Sequence, residues 1–321
     1  MNACRLAGDI GGTNARFALV PPDSVQLQQV KSLRCRDYRH PEDAVRDYLG
    51  MVGAGPVTAA CFAVAGPVSG SHIRVTNSHW QFDTEELCQK LGWQSLRVIN
   101  DFTAMALGIP HVSRQQMVHV CGGPGDERQP CLVMGPGTGL GVSGLIPSGS
   151  GWRALVTEGG HVDFAPVDDT DIAVMQILKA RFGLVSVERI LSGQGLLNLY
   201  QAHARLKGVA AELETPEAIT AAALEQGDSL PGLVLNHFCE ILGRTAGNAV
   251  LTQGSTGGVY LCGGILPRIL SFFLDSRFPE GFTDKGRMGS LLEKVPVYVV
   301  TDTRTGLLGA ANALVQEQSR A

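Results

Sequence analysis

Apolar and polar positions fall in blocks along the chain, and the blocks read as strands alternating with helices. In residues 4–20, CRLAGDIGGTNARFALV, two apolar runs flank the turn-rich Gly11-Gly12-Thr13-Asn14, which predicts a β-hairpin. A third strand is expected near residues 25–33. In PEDAVRDYLGMV, the apolar Ala44, Val45, Tyr48, Leu49 and Val52 share one helical face, and Pro41 suits its first turn. Residues 58–65 form an apolar strand that ends at Gly66-Pro67. Asp83 and Glu86 have the spacing of a capping box for a short helix through Leu91. A strand over 96–99 runs straight into Asn100-Asp101 and the helical TAMALG.

After about residue 111 the pattern starts again. CLVMGPGTGLGVSGLI is a second strand, glycine turn and strand, and ALVTEGGHVDF is a strand ending in a polar glycine loop. Residues 168–253 are mostly helical in pattern. GGVYLCGGILPR then gives a strand, a glycine turn and a helix start, VPVYVVTD a late strand, and TGLLGAANAL a closing helix. This alternation predicts an α/β protein. The two glycine turns suggest one phosphate-gripping device duplicated in two domains.

Length and composition narrow the picture. At ~150 residues per domain, 321 residues suggest two domains, and no low-complexity linker separates them. The net charge of −4 argues against a nucleic-acid partner, which selects for a basic face. The longest apolar stretch, residues 59–68, is half of what a membrane helix needs. Asp9 interrupts the N-terminal region early, so no secretory leader is expected. None of the eight cysteines forms a C-x-x-C pair and several sit in apolar runs. They read as small buried hydrophobes in a reducing compartment, with neither disulfide nor structural zinc expected. Forty glycines exceed the usual ~7% and point to tight turns and close backbone approach to a ligand.

Each chemical motif also has a plain structural explanation. The turn GDIGGTN offers unobstructed backbone N–H groups to an anion, with Asp9 suited to a metal-bound water and Thr13 to a phosphate. An ordinary hairpin turn would use the same residues. GPGTGLG carries Thr138 at its centre, and Gly139 to Gly144 match G-x-G-x-x-G. That fingerprint must open a helix, whereas LIPSGSG follows here. G-x-x-x-x-G-K-[ST], the H-R-D loop and G-x-S-x-G are all absent, which excludes P-loop NTPases, protein kinases and the simplest hydrolases. VINDF sets Asp101 at a strand's C-terminal end, where it can take a proton from a hydroxyl nucleophile. Asn100 can both donate to and accept from a sugar hydroxyl. Alternatively, Asp101 simply starts the next helix. In EGGH, two glycines let Glu158 and His161 face one small ligand, or leave them as loop residues. Glu188 in VERILSG reads alone as a helix-end carboxylate. Taken together, two phosphate-type turns, a strand-end Asp and several polyol-capable groups fit an ATP-dependent sugar kinase.

From LAGDIGGTNARFAL through INDFTA, GPGTGLGV, EGGHVDFAP, ERILSGQGL and GGVYLCGGILPR to TGLLGAANAL, the chain resembles bacterial glucokinases. These belong to the actin- and hexokinase-like ATPase superfamily. The resemblance implies two actin-like, ribonuclease H-like α/β domains flanking an active-site cleft. The small domain would be residues 1–111 plus 301–321, and the large domain 112–300. The implied reaction phosphorylates glucose with ATP and Mg²⁺, in the cytoplasm, in a homodimer, without nucleic acid or membrane. Asp101 matches the catalytic base, while Asn100, Asp101, Glu158, His161 and Glu188 match the sugar-binding residues. Gly8, Asp9, Ile10, Gly11, Gly12 and Thr13 match one phosphate loop. Gly137, Thr138 and Gly139 match the second, and Gly263 and Gly264 the adenosine-side turn. Many wider relatives carry a cysteine-rich zinc motif after the EGGH loop. No cysteine lies between Cys131 and Cys239 here, which places the chain with the zinc-free branch. Repressor relatives carry an N-terminal helix-turn-helix domain, whereas this chain opens on the phosphate hairpin, which disfavours DNA binding. A kinase for mannose or fructose, and a non-catalytic sugar sensor, are the competing expectations.

Overall fold

The structure is a computed structural model and describes residues 4–149 and 151–318. The chain packs as two units. The first comprises residues up to 114, residues 152–156 and residues from 302 onward; the second comprises residues 115–151 and 157–301.

The first unit begins with the hairpin β1 (Cys4–Ile10) and β2 (Asn14–Val20), followed by β3 (Gln28–Arg34), α1 (Pro41–Met51) and β4 (Val57–Val64). A small antiparallel pair, β5 (His72–Arg74) and β6 (Gln81–Asp83), leads into α2 (Thr84–Leu91), β7 (Ser95–Asn100) and α3 (Asp101–Gly108). Asp83 caps α2 by accepting the N–H groups of Glu85 and Glu86, as its spacing predicts. The sheet order is β3-β2-β1-β4-β7. β1 and β2 are antiparallel, while β1, β4 and β7 run parallel. Ile10, Val64 and Asn100 lie in register, so all three parallel strands end along one edge. That edge is where open α/β sheets place their ligands.

Side-chain alternation divides this sheet into two unlike faces. Leu6, Ile10, Phe17 and Phe62 pack with Tyr48 and Trp80 on one side. Small residues, Ala7, Ala18, Cys61 and Ala63, line the other, beneath α3 and the C-terminal helix Thr305–Gln318. Those two helices touch through glycine. A Cβ on Gly309 would lie 1.7 Å from the Ala104 carbonyl oxygen, and one on Gly108 2.1 Å from that of Thr305. Ala154 packs against the same small-residue core, and Gln316 Nε2 donates to the Trp152 carbonyl at 2.9 Å. These contacts tie residues 152–156 to the first unit, a link invisible to a reading by sequence neighbourhood.

The second unit carries β8 (Met117–Cys121), β9 (Cys131–Pro136) and β10 (Leu140–Ser148); strand β11 (Gly151–Leu155) follows in the chain. Next come α4 (Asp169–Phe182), α5 (Gly193–Lys207), α6 (Pro216–Glu225) and α7 (Leu230–Gln253). β12 (Gly258–Leu261), the short α8 (Leu270–Leu274), α9 (Phe278–Thr283) and α10 (Gly289–Leu292), and β13 (Val297–Val300) complete it. Asp168, Ser192, Thr215 and Ser229 each accept a backbone N–H at the start of α4 to α7, which fixes where these helices begin. Within the unit the strand order is β10-β9-β12-β13-β8. β9–β10 is an antiparallel hairpin, and β9, β12 and β13 are parallel. The segment β2-β1-β4-β7 thus recurs as β10-β9-β12-β13, the duplication that the two glycine turns suggest.

A buried ionic cluster joins α4, α5 and α7. Asp171, fully buried, accepts from His237 Nε2 at 2.8 Å, Arg244 Nη1 at 2.5 Å and the Val167 N–H at 3.0 Å. Arg244 also pairs with Glu240 and Asp168. His203 Nε2 lies 2.8 Å from His237 Nδ1. His237 donates from Nε2 to the carboxylate, and its Nδ1 and His203 Nε2 share one hydrogen. Burial, with the charges of His237 and Lys207, pushes His203 down to about 4. The unfolded chain protonates this residue near 6.5. The unfolded state therefore binds more protons between pH 6.5 and about 4, so stability is full above this window and falls on acidification through it. Urea titrations at pH 7.5 and 5 should show that loss, and a smaller one in His203→Gln. An equal loss in both proteins would remove His203 as its source.

Candidate active site

In the first unit, the β1–β2 turn is held by its own backbone. The Gly11 N–H closes on the Asn14 carbonyl at 2.9 Å. From the end of β3, the Cys35 N–H donates to the Thr13 carbonyl at 2.9 Å and Cys35 Sγ to the Gly11 carbonyl at 3.5 Å. The N–H groups of Gly12 and Thr13 and the Thr13 hydroxyl remain as donors at the tip, which suits an anion. A Cβ on Gly12 would lie 2.7 Å from the Asn77 carbonyl oxygen, so only glycine fits there. Asp9 lies one strand position from the turn. Burial pushes its carboxyl up, partly offset by the Arg16 charge. Gly306, in the first turn of the C-terminal helix, packs against it; a Cβ there would stand 3.4 Å from the carboxylate.

The same edge carries Asn100 and Asp101. Asn100 is the N-cap of α3: its Oδ1 accepts the N–H of Phe102 at 2.9 Å and of Thr103 at 3.2 Å. Its Nδ2 donates to the Gly66 carbonyl at 3.1 Å. These bonds use both lone pairs and one amide hydrogen, leaving a single donor for a sugar. The capping role that could have explained Asp101 thus belongs to its neighbour. Asp101 Oδ1 accepts the Phe102 N–H at 2.9 Å, which orients the half-buried carboxylate at the strand end. The Gly66 loop is laced to the phosphate-type turn as well, since the Ala65 N–H donates to the Ile10 carbonyl at 3.1 Å.

The second unit repeats the arrangement. At the β9–β10 turn, the Gly137 N–H closes on the Gly139 carbonyl at 2.7 Å, and the Leu140 N–H donates to Glu188 Oε2 at 2.9 Å. The N–H groups of Thr138 and Gly139 and the Thr138 hydroxyl remain at the tip. Gly135 and Gly263 let β9 and the turn after β12 touch. A Cβ on Gly135 would lie 1.8 Å from the Cys262 carbonyl oxygen, and Gly263 holds φ 96° against the Pro136 carbonyl. Gly137, Thr138, Gly193 and Gly264 open onto a cavity of about 340 Å³. Leu196, Ile265 and Ile269 give it apolar walls, while Glu217, Thr220 and Arg268 give it polar ones. This size and mixture suit a small-molecule site of ~300–1,000 Å³. Gly137, Thr138 and Gly264 stand out in the sequence, whereas the walls from α5 and α6 do not. The only signal for them was the glycine in SGQG.

Glu158, His161 and Glu188 also lie in this unit. Gly159 and Gly160 pack the EGGH loop onto β10; a Cβ on Gly160 would lie 2.0 Å from the Leu140 carbonyl oxygen. The His161 N–H returns to the Glu158 carbonyl at 3.0 Å. His161 Nδ1 stands 4.0 Å from Glu188 Oε1, so the structure brings His161 and Glu188 together. Glu158 is exposed.

A duplicated hairpin followed by parallel strands, with a glycine turn at each hairpin, is a two-domain actin-like fold. The Glucokinase family model matches residues 6–317. The chain belongs to the glucokinase family. It is 64% identical over 309 residues to a glucokinase of Marinobacter nauticus, covering 96% of each chain. It is 52% identical over 313 residues to a glucokinase of Hahella chejuensis, covering 98% of this chain and 97% of the other. The solved glucokinase of an Antarctic psychrotroph superposes with a TM-score of 0.88 at 36% identity, over 98% of this chain and 100% of that one.

Proposed function

We propose that Asp101 is the general base of this enzyme and that the paired glycine turns hold the nucleotide phosphates. The chain transfers the γ-phosphoryl group of ATP to glucose, giving ADP and glucose 6-phosphate. The observation that carries this reading is the 64% identity to a glucokinase across 96% of both chains. Asp101 accepts the 6-hydroxyl proton as that oxygen attacks the γ-phosphorus. Glu158, His161 and Glu188 bind the sugar hydroxyls, and Asn100 contributes its remaining amide hydrogen. Gly8 to Thr13 and Gly137 to Gly139 receive phosphate oxygens through the tip N–H groups, and the cavity beside Gly264 takes the adenosine. Most of the barrier is lowered by positioning and electrostatics, as in other phosphoryl transfers.

Asp9 fits a Mg²⁺ role, because its half-buried carboxylate, pushed up by desolvation and only partly offset by the Arg16 charge, gains from a further cation nearby. Mg²⁺ held there through water would neutralise phosphate charge. The reading extends to a cytoplasmic homodimer. Among the described residues, no helix is long and apolar enough to cross a membrane.

A coupled assay of ADP release with glucose, mannose and fructose tests the reaction. Glucose should give the highest kcat/KM. Faster turnover of another hexose would reassign the substrate, and sugar binding without ADP would make the protein a sensor. Within the reading, His161→Ala and Glu188→Gln should raise KM for glucose roughly 5- to 100-fold, the scale of one or two lost polar contacts. KM for ATP should move little. Thr138→Val should show the reverse split. Equal changes in both constants would refute the division of roles.

A further inference from the structure

We infer that Glu188 has a second role beyond the sugar: it is the positioning residue of the β9–β10 phosphate turn. The inference rests on the proposed reading of that turn as part of the nucleotide site. The two carboxylate oxygens face different tasks. Oε2 accepts the Leu140 N–H at 2.9 Å, while Oε1 points toward His161, 4.0 Å away. The first distance is a hydrogen bond and the second is too long for one, so Oε1 keeps capacity for a ligand. Gly139 makes this approach possible, since a Cβ there would lie 2.4 Å from Oε2.

The segment that carries Glu188 grips the turn at its other end too. The Ser192 hydroxyl donates to the Glu188 carbonyl at 2.8 Å and accepts the Gly195 N–H at 2.9 Å, fixing the step into α5. The next residue, Gly193, donates its N–H to the Gly137 carbonyl at 2.9 Å. Residues 188–193 therefore clamp the turn at Gly137 and at Leu140. Thr138 and Gly139, whose N–H groups remain at the tip, lie between these fixed points. Gly193 is also a wall of the adjoining cavity. One short segment thus touches the sugar-side carboxylate, the phosphate turn and the cavity. A ligand on Oε1 and a nucleotide on the turn then share one carboxylate, and each must change the other's affinity by the same factor.

Calorimetric binding of AMPPNP, without sugar, separates this role from sugar contact. Glu188→Ala leaves the Leu140 N–H unpaired and should weaken AMPPNP binding roughly tenfold, in line with loss of one charge-assisted hydrogen bond. Glu188→Gln should restore binding to within about threefold of wild type, because its amide oxygen accepts the same N–H. It should still fail to restore KM for glucose. If Glu188→Ala does not fold, Glu188→Leu makes the same measurement, since it keeps side-chain bulk while removing the acceptor of the Leu140 N–H. Wild-type affinity in Glu188→Ala overturns the inference alone. Equal weakening in Glu188→Gln also overturns it, because charge rather than the clamp would then be responsible. Wild-type protein that phosphorylates glucose but binds no AMPPNP at this turn overturns the nucleotide reading and the inference with it.

Discussion

Asp101→Asn should lower kcat by about 10²- to 10⁴-fold, the scale of losing a general base, while glucose binding survives. The structure makes this variant a clean probe. Asn100, not Asp101, caps α3, so the helix start keeps its two bonds to Phe102 and Thr103. An Asn at 101 can still accept the Phe102 N–H that Asp101 Oδ1 receives. The melting temperature should therefore stay near wild type while turnover collapses. The complementary variant, Asn100→Ala, removes the cap and should cost about 1 kcal/mol of stability. Steady-state kinetics and thermal melts on both proteins distinguish the roles, and near-normal turnover in Asp101→Asn would dismiss it as the base.

The largest loss of stability should come from Arg244→Ala. Asp171 and Glu240 are both almost fully buried and both pair with this guanidinium. Removing one partner of a buried ion pair leaves charge without compensation and costs about 3–5 kcal/mol. His237 and Arg277 keep one partner each on Asp171 and Glu240, which limits but does not cancel the loss. Acid should remove the same contribution in wild type. Burial works to raise the Asp171 carboxyl, but the His237 hydrogen bond, the Val167 N–H and the charges of His237 and Arg244 hold it below its ordinary value. Its stabilisation is then present above the unfolded carboxyl's pKa of about 3.9 and is lost as pH falls through the lower folded value. Urea unfolding at pH 7 checks the mutation, and an unchanged midpoint would show that the cluster is not coupled to folding.

Local chemistry explains which parts of this fold were legible. The hairpin at residues 4–20, the α2 cap at Asp83 and the strand running into Asn100-Asp101 each carried periodicity together with a turn or cap signal. The third strand, expected over 25–33, runs Gln28–Arg34 instead, because its mostly exposed residues give little alternation. The pairs β5–β6 and the edge strand β8 left no pattern, being three to five residues long. The short helices between Leu270 and Leu292 are too brief for periodicity to show. Among site residues, those in glycine motifs were legible because the backbone demands glycine there. That Asn100 rather than Asp101 caps α3 was not, since both residue types cap helices. Nor was the Glu188–Leu140 bond, which joins residues 48 positions apart.

The C-terminal helix has a consequence for how the chain is made. It covers the small-residue face of the first sheet, meeting Ala7, Ala18, Cys61 and Ala63 with Leu307, Ala310, Ala311 and Leu314. The strands of that sheet leave the ribosome first and their cover last. Between residue 114 and residue 302, synthesis at ~5–20 residues per second takes about 10–40 s. During that interval the second unit can complete its own core, while the nascent first sheet has one apolar face covered by α3 alone. Ribosome-bound chains stopped near residue 300 are therefore where chaperone capture of this protein should be greatest.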